Sequence, residues 1–325
     1  SHFPSSPIPY IKNKIGMMEL KADAIFEGGG IRGISFVGAI SCLEEKGYQF
    51  QRLAGTSAGA IMAALLAAGY TGKELVGMAG DTDFNRFLDS NGIQSVPLLG
   101  KPLGLLLENG MYKGNYLEDW MRMLLKAKGR TRFRDVMLEG RSRLKVIASD
   151  ITRREILILP DDLPKYGVDP MDFEIARAVR MSAGIPFFFN PVVLRCGNKA
   201  SYIVDGGVLS NFPVWIFDVD QTPGWPTFGF KLSEPGSSNT AVGKTDLLSY
   251  ACDVVDAMME EDQSVYRKDK DSVRTISIPT LGIKSTDFNI SPIDSFRLYL
   301  SGYESCKRFL KHWNFQEYIK RYRKQ

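Results

Sequence analysis

Ala22-Asp23-Ala24-Ile25-Phe26-Glu27-Gly28-Gly29-Gly30-Ile31-Arg32-Gly33 sets the architecture of this 325-residue chain. Residues 22–26 read as a short buried strand that runs straight into three glycines. The periodicity then changes. Ile34, Val37, Ile40, Cys42 and Leu43 recur at near-helical spacing, and Gly47 supplies the stop. The same grammar follows at once: residues 51–54 lead into Gly55-Thr56-Ser57-Ala58-Gly59 and an Ala-rich helix that ends near Gly69. Two tandem strand-turn-helix units predict a parallel sheet with helical crossovers.

Further along, paired strands are expected over 143–149 and 155–159, and single strands over 201–204, 227–232 and 273–278. Helices are expected over 172–181, over 245–261 and from Pro292 onward. Residues 1–20 form a poorly patterned lead, and 21–325 are expected to make one domain. Within it, residues 81–114 stand apart. The stretch SVPLLGKPLGLLLENG follows neither the helical nor the strand period. It reads as a core-lining loop or as a mobile apolar cap inserted over a greasy pocket.

Composition removes several classes. With 44% hydrophobic and 24% charged residues the chain is neither disordered, collagenous nor a coiled coil. The 41 basic against 37 acidic residues leave a net charge of +4, too small to imply nucleic acid. Basic residues do crowd residues 320–324 and the set Arg130, Arg132, Arg134, Arg141, Arg143 and Lys145, which reads as solvated surface or as attraction to anionic lipid. Cys42, Cys196, Cys252 and Cys306 are dispersed without a CxxC pair, so they suggest small buried hydrophobes in a reducing, cytoplasmic compartment rather than a zinc site. The opening SHFPSSPIPYIKNK has no signal-peptide run and starts on Ser rather than Met, as a trimmed or tagged end would. No segment reaches the length of a membrane span.

The two glycine loops differ in chemistry. Gly28-x-Gly30-x-x-Gly33 satisfies the dinucleotide pattern literally, but the acid that should grip a ribose at the end of the next strand is missing, and no P-loop Gly-Lys-Ser/Thr is present. Gly55-Thr56-Ser57-Ala58-Gly59 instead matches a nucleophile elbow, in which Gly55 and Gly59 let a strand turn sharply into a helix and expose Ser57. The alternative for Ser57 is a helix cap in a tight turn.

An elbow serine needs a base, and the only histidines are His2, in the lead, and His312, near the C-terminus. A carboxylate must serve. Asp205 is the best candidate, because it also ends an apolar strand, although Asp-Gly is a common turn pair. With an ordinary pKa of about 3.9 it would be a weak base. Gly28, Gly29 and Gly30 can aim backbone N–H groups at a developing oxyanion beside a helix N-terminus, and Arg32 can add a charge or lock the loop. Trp215 and Trp225 read as packing residues or as substrate contacts.

The ordered triple of Gly28-Gly29-Gly30-Ile31-Arg32-Gly33, Gly55-Thr56-Ser57-Ala58-Gly59 and Asp205-Gly206-Gly207 resembles the patatin-like phospholipases, a serine acyl hydrolase family. Ala176-Arg177-Ala178, Ser182-Ala183-Gly184-Ile185-Pro186-Phe187, Asn211 and Pro213 fit the family pattern as well. Glu27, where Asp is usual, and Gly184, where Ala is common, depart from it.

The resemblance implies a three-layer αβα sandwich around a mostly parallel sheet, a Ser57/Asp205 catalytic dyad without histidine, an oxyanion hole in the glycine loop, and metal-free and cofactor-free hydrolysis of lipid acyl esters. The expected partner is a phospholipid or related lipid ester, met by transient contact with a membrane surface, with residues 98–107 and Lys101 as the contact. The alternatives are a catalytically idle lipid-binding or interaction module, a transacylase, or a neutral lipid esterase.

Overall fold

The computed structural model describes residues 20–88, 113–234, 257 and 269–323. Residues 1–19 of the lead, the apolar run within 89–112 with Lys101, all but Ala257 of the helix expected over 245–261, Cys252 and Lys324 lie outside the described residues.

In chain order the elements are β1 (Leu20–Phe26), a 3-10 turn at Gly30–Gly33, α1 (Ile34–Glu45), β2 (Tyr48–Thr56), α2 (Ala58–Ala67), α3 (Gly72–Asp81) and α4 (Asn115–Ala127). A two-residue hairpin, β3 (Met137–Leu138) and β4 (Arg141–Ser142), precedes β5 (Leu144–Asp150) and β6 (Glu155–Leu159). Then come α5 (Ile175–Ser182), β7 (Val192–Cys196), β8 (Lys199–Asp205), β9 (Thr227–Ser233), the single turn α6 (Asp269–Ser272), β10 (Thr275–Pro279), α7 (Pro292–His312) and α8 (Phe315–Tyr322).

Besides the short β3, β4 and α6, the helices α3 and α4 and the strand β7 lie where periodicity predicts none. The first of these helices is announced by a capping box in which Thr71 and Glu74 satisfy each other's backbone amides.

The main sheet runs β10-β9-β1-β2-β5-β8-β7, with β6 also paired to β5. The five strands from β10 to β5 are mutually parallel, as the tandem units require. Beyond them the sheet is mixed, because β6 and β8 both run antiparallel to β5. The reversal has a consequence for the site. The first four residues of β5 pair with Leu53–Thr56 of β2, and its last three pair with Ile203–Asp205 of β8. Thr56 and Asp205 therefore sit against neighbouring residues, Ile147 and Ala148, and the carboxyl ends of β2 and β8 meet there.

Alternation along β1 divides the core. Ala22, Ala24 and Phe26 join the large cluster built with the helices, where Phe26 stacks on Phe230 at 4.4 Å. Ile25, between them, points to the other face and packs with Ala54, Phe212, Val214 and Phe217.

The helix that follows the glycine loop, α1, is pinned by α7 at an unusually close crossing. A Cβ on Gly302 would lie 1.8 Å from the Ser35 carbonyl oxygen, and one on Gly38 would lie 1.9 Å from that of Tyr299. One turn further along each helix, the thiols of Cys42 and Cys306 face each other in the core. The Cys42 thiol and burial together push the Cys306 thiol well above its ordinary pKa. The expectation of four dispersed, buried cysteines thus needs correction: two are brought together, and Cys196 is exposed.

Candidate active site

Ser57 follows β2 directly and precedes α2, with φ 53° and ψ −121°. A positive φ on a non-glycine residue is strained, and here it accompanies a sharp turn from strand into helix. The helix-cap alternative fails on geometry, because the Ser57 side chain makes no capping hydrogen bond to α2. Gly55 and Gly59 permit the turn by close approach. A Cβ on Gly55 would lie 2.1 Å from the Gly59 carbonyl oxygen, and one on Gly59 would lie 2.3 Å from that of Phe26.

The elbow is braced from behind by a residue that sequence reasoning placed only in a pattern. The Ser57 amide donates to Ser182 Oγ at 2.9 Å, and the Ser182 hydroxyl donates in turn to the Ile147 carbonyl of β5. Ser182 ends α5 and is fully buried.

Asp205 closes β8 and is also fully buried. One carboxylate oxygen, Oδ1, accepts the Gly207 amide at 2.8 Å. The other, Oδ2, is buried without a hydrogen-bond partner. Burial is the dominant influence on this group and pushes its pKa up to about 7, against the smaller opposing effects of the Gly207 amide and the Ser57 hydroxyl. The weak base expected from the residue type alone becomes one matched to neutral pH.

The glycine loop is held on several sides. The Gly28 amide donates to the Asn211 carbonyl at 3.3 Å, and Asn211 Nδ2 returns a bond to the Gly28 carbonyl at 3.4 Å. Gly30 has φ 56°, and a Cβ there would lie 2.0 Å from the Ser285 carbonyl oxygen, which accepts the Ile31 amide. Glu27 Oε2 accepts the Leu232 amide at 2.6 Å, so the longer acid at this position ties the loop to β9. Arg32 reaches the Gly29 carbonyl and Glu234, each at 3.2 Å, which is the geometry of a loop lock. The amides of Gly29 and Gly30 donate to no group among the described residues.

Ser57 opens onto an apolar cavity that is partly open to solvent. Its walls come from α1 (Ile34, Val37), α2 (Ile61, Met62, Leu65), α3 and α4, with Ala183, Ile185 and Phe189 beside the serine. The α3 and α4 walls belong to helices that the periodicity left unassigned. Arg180 steadies the last of these segments by donating to the carbonyls of Lys113 and Asn190.

Other singled-out residues fall elsewhere. His312 is exposed in the last turn of α7. Arg132 and Arg134 pair with Asp172, and Lys145 with Asp161, ahead of or at the start of β5, whereas Ser57 follows the carboxyl end of the parallel strand β2. Arg323 pairs with Asp218. Trp225 packs beneath the cations of Lys21 and Arg52, while Trp215 is exposed. Among the described residues no helix is long and apolar enough to cross a membrane.

A buried serine in a strained turn, a buried aspartate and a glycine loop lie at one end of a mostly parallel sheet flanked by helices, which defines the chain as an α/β protein. The chain belongs to the patatin-like phospholipase family, whose pattern matches residues 24–218. It is 36% identical to the uncharacterized protein YqhO of Bacillus subtilis (strain 168) over 294 residues, covering 90% of this chain and 99% of that one. It is 28% identical to the probable lipid hydrolase 463L of Invertebrate iridescent virus 6 over 190 residues, 58% of this chain and 61% of that protein. The crystal structure of VipD from Legionella pneumophila shares the fold, with a TM-score of 0.53 at 20% identity over 89% of this chain and 66% of that chain. The three-layer α/β sandwich is thus the fold class of this chain.

Proposed function

We propose that the chain hydrolyses fatty acyl esters of phospholipids through an acyl-serine intermediate on a Ser57/Asp205 dyad. Lipid hydrolysis is what family membership and the viral relative suggest. The observation that carries the finer reading is the meeting of the β2 and β8 ends on β5, which sets a strained serine beside a buried carboxylate whose pKa lies at about 7.

In this mechanism Asp205 takes the Ser57 hydroxyl proton as Oγ attacks the ester carbonyl. The negative charge that develops on the carbonyl oxygen is met by the free amides of Gly29 and Gly30. Gly28, whose amide is given to the Asn211 carbonyl, and Arg32, bonded to the Gly29 carbonyl and Glu234, hold that pair in place. The tetrahedral intermediate collapses to acyl-serine, and protonated Asp205 returns its proton to the departing alkoxide. Water, deprotonated by the same carboxylate, then releases the fatty acid and free serine. Contact with the lipid surface is transient and peripheral.

The test is fatty-acid release from mixed phospholipid vesicles by the intact protein and by Ser57→Ala of matched folding. Release that vanishes in the variant is expected. Equal release by both proteins sinks the assignment of the nucleophile, and transfer of the acyl group to an added alcohol at the expense of free acid would indicate a transacylase.

Two further outcomes follow from the site. Because Asp205 must be ionised to act, kcat/KM for a soluble ester should rise with pH and level off above about 7, following the ionisation of the buried acid. A flat profile between about pH 5 and 9 would remove Asp205 from the base role. Ser182→Ala should lower kcat by roughly tenfold with little change in KM, because it leaves the Ser57 amide without its acceptor, a loss of about 1–2 kcal/mol. Ser182→Thr should restore part of the rate; unchanged kcat in the alanine variant would show the brace to be dispensable.

A further inference from the structure

The cavity behind Ser57 has a length that two helices measure independently. On α2 its lining residues are Ser57, Ala58, Ile61, Met62 and Leu65, one helical face read from the N-terminus inward. Eight residues at 1.5 Å each place Leu65 about 12 Å beyond the serine. On α3 the lining residues are Leu75, Met78, Ala79 and its C-cap Thr82, again one face, spanning about 10 Å by the same rise. The wall continues with Phe84.

Both rows end at a leucine near the connection that joins the two helices. Leu65 and Leu75 flank the 68–71 connection between the two helices, and both are buried, at 1% and 2% exposure. That connection is itself fixed. The Gly69 amide donates to the Leu66 carbonyl, the Tyr70 amide to the Leu65 carbonyl, the Tyr70 hydroxyl to the Leu124 carbonyl of α4, and the Thr71/Glu74 capping box locks the start of α3. Leu117 of α4 lines the cavity as well and is buried. Each helical row of lining residues thus stops at a buried leucine beside a hydrogen-bonded turn, while the row on α2 begins at Ser57.

We infer that this slot is an acyl-chain ruler, with Leu65 and Leu75 setting the longest chain that can lie fully within it. The inference rests on the acyl hydrolase reading above. An extended alkyl chain advances about 1.3 Å per carbon, from ordinary C–C bond lengths. A slot of about 12 Å then takes an acyl chain of about eight to ten carbons between the carbonyl at Ser57 and the leucine wall. Each further methylene must bend back or stay in water and so forgoes burial. The favoured substrates are thus lipid esters of medium-length acyl chains.

The test is kcat/KM, below micelle-forming concentrations, for p-nitrophenyl butyrate, octanoate, decanoate and palmitate, with labelling of Ser57 by a small fluorophosphonate run on every variant. The wild type should peak at octanoate or decanoate and fall by about tenfold or more at palmitate. Leu65→Ala, which lowers the wall, should move the peak at least two carbons longer. Should that variant fail to fold, Ala79→Leu serves in its place: it narrows the slot from a half-buried position on α3 and should lower the decanoate-to-butyrate ratio by about tenfold.

A flat response from butyrate to palmitate, or a palmitate peak unmoved by either variant, overturns the ruler while leaving the hydrolase reading intact. If Ser57 takes no label and no ester is cleaved, the hydrolase reading falls and the ruler falls with it.

Discussion

Replacing Asp205 by Asn is expected to abolish turnover and, in the same step, to make the protein more stable. Loss of the carboxylate proposed to take the Ser57 proton should reduce kcat by about a thousandfold or more. The stability gain has a separate cause. Burial raises this carboxyl from 3.8 to about 7, so the folded state holds its proton more tightly than the unfolded chain does.

Stability from this group is therefore complete below about pH 4 and is lost as pH rises toward 7. Above that, holding a buried charge costs up to about 4 kcal/mol. Asn keeps the acceptor for the Gly207 amide and carries no charge. Recovery of half that penalty raises Tm at pH 8 by about 3 °C, and the gain should shrink at pH 5. A variant that is inactive and less stable at both pH values would contradict the buried-charge account, and one with wild-type turnover would contradict the dyad.

The second large effect is expected far from the serine. Gly302→Ala should destabilise the chain by about 3 kcal/mol, because the new methyl group lands on a backbone carbonyl that cannot rotate away, and α1 and α7 must separate. The control is Gly77→Ala or Gly80→Ala on α3, where a Cβ meets nothing within 4 Å and φ is not positive. Relief of glycine's chain entropy should there leave stability unchanged or raise it by up to about 1 kcal/mol. Equal Tm for Gly302→Ala and the α3 controls would show that the crossing yields easily. Because α1 carries the glycine loop at its N-terminus, Gly302→Ala should also slow turnover by a factor that Ser57 labelling tracks.

These outcomes bear on what the sequence could reveal. Strand, glycine turn and helix were legible twice over, since Gly47 and the Gly55/Gly59 pair act through local backbone chemistry. The Thr71/Glu74 box and the row Leu117, Met121, Leu125 were equally local signals for α3 and α4, and a window centred on them would have found both helices. The direction of β8 was not legible, because nothing in residues 199–205 encodes which neighbour they will meet or from which end. The pKa of Asp205 shares that limit: an aspartate before two glycines is an ordinary turn residue until a fold buries it. Ser182 likewise owes its place to pairing across 125 residues.

The family pattern ends at residue 218, yet the strand that delivers the glycine loop is completed by what comes later. Asp23–Phe26 of β1 pair with Thr227–Phe230 of β9, β10 lies outside that, and α7 covers α1. A fragment cut at residue 218 would present β1 as a raw edge, its amides and carbonyls open to any passing strand. Such a fragment should aggregate rather than yield a minimal enzyme. The stretch that matches the family pattern is thus expected to need β9, β10 and α7 beside it before it can be moved intact into another chain.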